Sequence, residues 1–171
     1  MEDSPNPSPA VRLDQPVEPY LAGHYAHHLD AKGRLVLPAM FRPSFTGLAY
    51  VTPWEQGQCL AMWTALGYRQ AVSWVRVKGV SSYRAASGDA PRPADLMRSL
   101  LSHATMVRPD AQGRFVLPPG PRQDAGLAKD VAVIGHGDHV ELWAPERYDE
   151  RDRGAGPMID MVFEDYEHEE H

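Results

Sequence analysis

The sequence predicts a mainly β protein with additional helices, of the α+β class, built from two tandem copies of one β-hairpin unit. The segment LDAKGRLVLP at 29–38 recurs as PDAQGRFVLP at 109–118, an offset of 80 residues. Each copy is followed by two short runs rich in branched and aromatic residues, a pattern typical of β-strands. Duplication of one structural unit is the simplest explanation of this pattern.

The repeat extends well past the two hairpins. The sequence predicts that the match continues at the same offset without a gap, through these further pairs of identical residues: Arg42 and Arg122, Val51 and Val131, Gly57 and Gly137, Trp63 and Trp143, Tyr68 and Tyr148. Tryptophan is rare, so its coincidence in both copies argues against chance. The offset therefore predicts that the second unit repeats the first strand by strand.

Four short strands are predicted in each unit. In the first unit they cover 25–29, 34–37, 49–52 and 59–63, and the matching later strands of the second unit cover 130–134 and 140–143. The first two strands form a tight hairpin, in which Asp30 accepts hydrogen bonds from the turn and Gly33 takes a positive φ. Asp110 and Gly113 are expected to do the same in the second copy.

The segments after the hairpins differ between the copies. Pro38 suits the first turn of a helix, and Ala39 to Arg42 continues that turn before Pro43 limits it. The run PPGP at 118–121 predicts a distorted counterpart in the second unit. Two longer helices, over 68–78 and 94–103, join the units, because their apolar residues recur at helical spacing.

Composition predicts the domain boundaries. Residues 1–20 are rich in Pro, Ser and acids and predict a disordered leader, and 149–171 predict an acidic, disordered tail. Between them lie the first unit at 21–67, the helical connection at 68–103 and the second unit at 104–148. The formal charge is −6, but the leader carries −3 and the tail −7, so residues 21–148 carry +4. A mildly basic body is compatible with contacts to phosphate.

Several classes of protein are not predicted. The sequence contains neither a stretch of about 18 apolar residues nor a signal peptide, so we expect a cytoplasmic protein without a membrane partner. The single Cys59 is interpreted as a core residue. Three histidine pairs, at 27–28, 136–139 and 168–171, are incomplete as metal sites, and no metal or other cofactor is predicted. Without GxSxG, Walker, HExxH or dinucleotide motifs, no enzyme is predicted.

The segment GHYAHHLDAKGRLVLPAMFR at 23–42 resembles the MraZ family, with its Gly-led strand, Asp-x-x-x-Arg turn and following Pro, aromatic and Arg. HATMVRPDAQGRFVLP at 103–118, GLAKDVAVIG at 126–135 and VELW at 140–143 resemble the second half of that family. The resemblance implies two tandem AbrB-like swapped-hairpin units that form an intramolecular pseudodimeric β-barrel. It also implies a ring-like homo-oligomer that binds short direct repeats in double-stranded DNA upstream of a division and cell-wall gene cluster, and hence a nucleoid-associated transcriptional regulator.

The same resemblance implies DNA contact by Arg34 and, in the second copy, by Arg114. An arginine at the mouth of a rigid hairpin can fork to guanine or to a phosphate, and Lys32 beside it adds attraction for phosphate. The alternative is that each arginine only pairs with Asp30 or Asp110 and stiffens its turn. This alternative is stronger for Arg114, which follows a glutamine-containing turn.

A second function remains open from the sequence. AbrB-type folds also serve as antitoxins, in which a disordered tail wraps a protein partner. Here residues 158–166 place apolar side chains among acids. The tail could therefore bind a protein or shield the basic hairpins of its own chain.

Overall fold

The computed structural model describes residues 20–79 and 92–153. The predicted leader apart from Tyr20, the loop between the connecting helices and most of the predicted tail lie outside these residues. The first unit and the helical segment after it consist of β1 (His24–His28), β2 (Arg34–Val36), a 3-10 turn (Arg42–Ser44), β3 (Ala49–Trp54), a second 3-10 turn (Glu55–Gly57), β4 (Cys59–Thr64), α1 (Ala65–Trp74) and a π-helical turn (Val75–Gly79).

The second unit repeats this order. The helix α2 (Pro93–Ser102) leads into it, and its own elements are β5 (Thr105–Val107), β6 (Arg114–Val116), α3 (Pro119–Asp124), β7 (Asp130–Gly135), β8 (His139–Trp143) and α4 (Pro145–Asp152). Four strands per unit and two helices between the units confirm the predicted α+β class.

Strand pairing exchanges the first strands between the units. Six strands form one sheet in the order β1-β7-β8-β4-β3-β5, and β2 pairs with β6 in a separate two-stranded ribbon. Thus β1 of the first unit extends the β7–β8 hairpin of the second unit, and β5 extends the β3–β4 hairpin of the first. All of these pairs are antiparallel. The units are therefore intertwined, as the swapped-hairpin prediction requires.

An approximate two-fold axis relates the units. Leu35 pairs with Phe115 in the ribbon, and Ala61 pairs with Glu141 in the sheet. The members of each pair are 80 residues apart, so at these two places a residue faces its own counterpart. The axis passes through both pairs, and the repeat seen in the sequence is a structural one.

The sequence analysis predicted that the register between the repeats holds without a gap, and this prediction is wrong for the third strand. Val51 pairs with Met62, and its counterpart opposite Leu142 is Val133, not Val131. The second unit has two more residues before its third strand and a correspondingly shorter hairpin loop. Because the shift is two residues, the same face of the strand stays buried and the apolar pattern does not reveal it.

The sheet and the ribbon enclose one hydrophobic core. Its members, buried from both units, include Leu35, Leu37, Phe41, Val51, Leu60, Met62, Phe115, Leu117, Val133, Val140 and Leu142. Burying each of these large side chains is worth about 1.5–3 kcal/mol. Within the described residues, hydrogen bonds do not close the strands into a barrel, because β1 and β5 remain as sheet edges and the ribbon pairs only with itself. The predicted barrel is thus an open sheet covered by a ribbon.

For the segments that follow β2 and β6 the prediction is wrong, because the more regular helix lies in the second copy and not in the first. The PPGP run of the second copy forms α3, in which Pro119 occupies the first turn, where a missing N–H costs nothing. The first copy has only a turn and a 3-10 segment, in which the amide of Phe41 donates to the carbonyl of Pro38. Proline in this segment therefore starts a helix and does not distort one.

The helix α4 also extends beyond the predicted boundary at 148. Pro145 lies in its first turn, and Arg147 donates to the carbonyl oxygen of Ala125 at 2.9 Å. Arg151 forms an ion pair of 3.0 Å with Glu55 of the first unit. These contacts anchor the first residues of the segment that was predicted to be a disordered tail.

Candidate nucleic-acid interface

The first hairpin turn is organised around the carboxylate of Asp30. One oxygen, Oδ1, accepts from the backbone amides of Lys32 and Arg34, each at 2.9 Å. The other, Oδ2, accepts from Nε of Arg34 at 2.6 Å. Gly33 closes the turn at φ +76°, and its amide donates to the carbonyl oxygen of Asp30 at 3.0 Å. The turn therefore fixes both the backbone and the arginine side chain.

The second turn repeats this geometry around Asp110. Its carboxylate accepts from the amides of Gln112 at 2.9 Å and Arg114 at 3.0 Å, and from Nε of Arg114 at 3.0 Å. Gly113 takes φ +78°. In both copies, then, the aspartate accepts from two turn amides and the glycine has a positive φ.

These hydrogen bonds favour the ionised form of both carboxylates. The pKa of Asp30 and the pKa of Asp110 lie below the usual range, mainly because the backbone amide of the turn arginine donates to the carboxylate, and next because its side chain does. Each turn is consequently an electrostatic unit in which a carboxylate orients a guanidinium.

The ribbon brings both arginines onto one outward face. Leu35 and Phe115 point into the core, so their neighbours Arg34 and Arg114 point away from it. Arg34 pairs with Val116, two residues beyond Arg114, which makes the arginines diagonal neighbours with Cα atoms about 7–8 Å apart. Their side chains are 55% and 54% exposed. Among the described residues only Nε of each arginine has a hydrogen-bond partner, so the terminal amino groups of both are left for another partner.

Lys32 and Gln112 occupy equivalent places in the two turns. Both side chains are exposed, and both backbone amides are held by the turn carboxylate. The first turn therefore carries one more positive charge than the second.

Each turn is anchored by the opposite unit. The amide of Leu117 donates to the carbonyl of Gly33 at 2.9 Å, and that of Leu37 donates to Gly113 at 2.8 Å. A side chain at Gly33 would collide with the guanidinium of Arg122. The exchange of strands thus ties each turn to the opposite unit.

Two further arginines adjoin the turns, and the sequence analysis did not identify them as site residues. Arg122 contacts the turn at Gly33, and Arg42 contacts the turn at Gly113. Nε of Arg42 donates to the carbonyl of Leu37 at 3.0 Å. The signal available was their exact offset in the two repeats; their contact with the opposite turn follows from the strand exchange. Four guanidinium groups therefore lie on or beside the ribbon.

This geometry defines a class of protein: tandem, intertwined β-hairpin units in which an aspartate positions an outward-facing arginine at each turn. A family model described as "MraZ protein, putative antitoxin-like" matches residues 20–76 and 100–152. Because the match covers more than half of the chain, the protein belongs to the MraZ family.

Curated relatives agree with this assignment. A protein of Symbiobacterium thermophilum named "Transcriptional regulator MraZ" is 32% identical over 83% of this chain and 96% of its own length. Proteins with the same name from Bifidobacterium longum and Corynebacterium efficiens are 33% and 39% identical, over 87% and 71% of this chain and 96% and 78% of their own lengths. No helix among the described residues is long and apolar enough to cross a membrane.

Proposed function

We propose that this protein is a transcriptional regulator that binds double-stranded DNA through Arg34 and Arg114, with Lys32 as an additional phosphate contact. Its membership of a family whose relatives are named transcriptional regulators supports this function. The observation that carries the proposal is the β2–β6 ribbon, which holds both arginines on one exposed face above a packed core. The protein acts at the nucleoid and not as an enzyme.

The held Nε atoms explain why arginine suits this position. With Nε fixed by aspartate, the two terminal amino groups form a pre-oriented fork that matches guanine O6 and N7 or two phosphate oxygens. Less side-chain entropy is lost on binding, because the turn has already restricted the rotamer. The same ion pair that could serve only to stiffen the turn therefore also prepares the contact.

Repeated sites would convert a weak contact into a strong one. The chain forms a ring-like homo-oligomer in this proposal, and neighbouring chains bind successive short direct repeats upstream of a division and cell-wall gene cluster. Each additional engaged ribbon then binds at a high effective concentration, so the mild basicity of the body suffices.

The test is the affinity of the full chain for a DNA fragment carrying the repeats, measured by gel shift or fluorescence anisotropy. Arg34→Ala is expected to cost on the order of 1–3 kcal/mol per engaged site. Arg98→Ala is the matched control, because Arg98 is 71% exposed and pairs with Asp95 at 2.6 Å but lies on α2. Equal affinity of wild type and Arg34→Ala would overturn the assignment. A chromatin immunoprecipitation peak at the gene cluster would support the proposed operator.

A protein-binding role of the tail is the second candidate. It is favoured by the description of the family as antitoxin-like and by the acidic and apolar sequence of 158–166. Deletion of 154–171 should then remove a co-purified protein partner or change the affinity for DNA. If the deletion changes neither, this role is excluded and the DNA-binding role stands alone.

A further inference from the structure

The β7–β8 hairpin carries a cluster of metal-binding residue types. His136 lies in the turn, and His139 and Glu141 lie on β8. One potential ligand atom from each of the three residues lies within 4.8 Å of the others. His136 is exposed, whereas His139 is 2% and Glu141 5% exposed. The sequence analysis rejected the histidine pair as an incomplete metal site, because it did not connect the two residues to Glu141.

The ring of His139 is oriented as in many metal sites. Its Nδ1 lies 2.6 Å from Oδ1 of Asp138. When Nδ1 donates to that carboxylate, Nε2 is left with a free lone pair. A metal-bound histidine almost always has its second nitrogen occupied in this way.

The Nε2 atom of His139 is buried and has no hydrogen-bond partner in the described chain. Its nearest acidic oxygen, Oε1 of Glu141, lies 3.6 Å away, beyond hydrogen-bond range. A buried nitrogen without a partner is costly, and native proteins rarely leave one. A separation of 3.6 Å between Nε2 and Oε1 is too long for a direct hydrogen bond, but it allows both atoms to bind one ion.

Glu141 presents the complementary oxygen. Its Oε2 accepts from the indole Nε1 of Trp143 at 2.7 Å, which leaves Oε1 directed toward His139. A buried carboxylate requires a compensating charge or several donors, and here the described chain supplies one donor. The remaining charge is what a cation would neutralise.

The fold itself does not require these residues. The first-unit counterparts of His139 and Glu141, at the offset of 80, are Cys59 and Ala61, and both are buried apolar positions. The same strand position is therefore filled well without polar groups. The histidine–glutamate pair breaks the internal symmetry at the axis, where Glu141 faces Ala61.

We propose that His136, His139 and Glu141 bind a transition-metal ion of the Zn²⁺ class, with Asp138 as the carboxylate that orients His139. Two imidazoles and one carboxylate are a donor set that zinc accepts, and a fourth position remains for water or another ligand. Trp63 stacks on the His139 ring at 4.3 Å and shields one side of the site from solvent. The exposed His136 provides the route of entry.

The site is separate from the arginine ribbon. On β8, Val140 and Leu142 pack into the core with Leu35 and Phe115, whereas His139 and Glu141 point to the opposite face of the sheet. The metal therefore clamps the β7–β8 hairpin and does not contact DNA bound at the ribbon. Failure of DNA binding would not affect this inference, and failure of metal binding would not affect the proposed function.

The experiment is a titration of the metal-free full chain with ZnCl₂, followed by isothermal calorimetry and by the shift in unfolding temperature. One ion should bind per chain and raise the unfolding temperature. His136→Ala and Glu141→Gln should each weaken binding by roughly 10-fold or more, and Asp138→Asn by about 10–100-fold, the range typical of groups that hold a metal-binding histidine in place. The matched control is His28→Ala, since His28 is also an exposed histidine 2.6 Å from a carboxylate, that of Asp130.

Because His136 is exposed, the His136→Ala variant should fold even if the buried Glu141→Gln variant does not, and it therefore tests the site by itself. Co²⁺ substitution adds a spectroscopic readout: the visible absorption of a bound Co²⁺ should be lost in His136→Ala and kept in His28→Ala. Zinc binding and thermal shifts that are the same in wild type and His136→Ala would overturn the site. So would the absence of any thermal shift with zinc in the wild type.

Discussion

Leu35 on β2 lies directly opposite Phe115 on β6, and the two residues occupy equivalent positions in the two repeats. Their side chains are 0% and 4% exposed and lie on the ribbon face opposite Arg34 and Arg114. The two arginines are therefore supported by one apolar contact at the axis of the molecule.

Truncating this contact should destabilise the whole fold. We expect Leu35→Ala to lower the free energy of unfolding by about 2–5 kcal/mol and Phe115→Ala by about 3–5 kcal/mol, through lost burial and a residual cavity. Urea unfolding followed by circular dichroism measures the change. Val116→Ala, at a ribbon position that is 53% exposed, should stay within about 0.5 kcal/mol of wild type. A similar loss in all three variants would contradict the axial role of the pair.

Glycine at the first turn should be required for two separable reasons. Gly33 and Gly57 both have positive φ, +76° and +84°, but only Gly33 has the guanidinium of Arg122 in the space that a Cβ would occupy. Gly57→Ala should cost only the backbone strain, roughly 1–2 kcal/mol. Gly33→Ala should cost more, because Arg122 must move as well. Thermal or urea unfolding of the two variants compares them, and equal losses would show that the Arg122 contact contributes nothing.

The turn carboxylates should make the free energy of unfolding depend on pH in the acidic range. The pKa of Asp30 and of Asp110 is lowered in the folded state by the turn amide and by the arginine side chain. Because the folded pKa lies below the unfolded one, the contribution is complete above the ordinary carboxyl pKa of about 3.9 and is lost as pH falls through the folded pKa.

The double variant Asp30→Asn, Asp110→Asn tests this dependence. Its amides do not titrate, so it should be less stable than wild type near neutral pH, and the difference should shrink below about pH 4. Unfolding temperatures measured across that range give the result. A difference that stays constant with pH would mean that the turn carboxylates do not supply the pH dependence. The double variant Asp124→Asn, Asp149→Asn, which changes two carboxyls outside the turns, is the control.

The thiol of Cys59 should be protected in the native protein. Cys59 is 0% exposed, and burial raises the pKa of its thiol, with Glu141 and Glu55 adding to the effect. A thiol reagent such as Ellman's should therefore react only as fast as the chain unfolds, and at full rate in denaturant. Rapid reaction of the native protein would contradict the buried position.

The local features of the site were predictable from sequence because they depend on neighbouring residues. An Asp and a Gly at fixed spacing define each turn, and the apolar residue after each arginine identifies the face that points inward. The partner of β1 was not predictable in this way. An alternating strand does not specify which sheet edge it joins, so the exchange that pairs β1 with β7 was implied by the family resemblance and not by the residues. The contact of Arg122 with the opposite turn depends on that exchange, and it was missed although the resemblance implied the exchange itself.

Non-local packing also explains the remaining errors. The two-residue shift between Val51 and Val133 preserves the inward face and leaves no mark on the pattern. The pair His136 and His139 was set aside as an incomplete metal site, although the place of His139 two residues before Glu141 on an apolar strand would have put both on one face. The one charged residue of the sequence VELW, Glu141, was a usable signal that was not used.

Replacing Arg34 by lysine should separate the effect of the forked guanidinium on DNA affinity from the effect of its positive charge. Lysine keeps the positive charge but has no planar pair of donors, and it has no Nε–H with which to repeat the 2.6 Å bond to Asp30. DNA affinity should fall in Arg34→Lys toward that of Arg34→Ala. The dependence of the binding constant on salt should nevertheless stay near that of wild type in Arg34→Lys, whereas in Arg34→Ala the log–log slope should decrease by about 1.

This pair of variants also separates DNA contact from turn stiffening. If Arg34 only stiffens its turn, both variants lose stability while affinity and salt slope are unchanged at temperatures where they remain folded. If Arg34 contacts a phosphate as a simple charge, Arg34→Lys retains full affinity. Only a forked contact predicts that Arg34→Lys loses affinity and keeps its salt slope, and titrations at several salt concentrations on one DNA fragment distinguish the three outcomes.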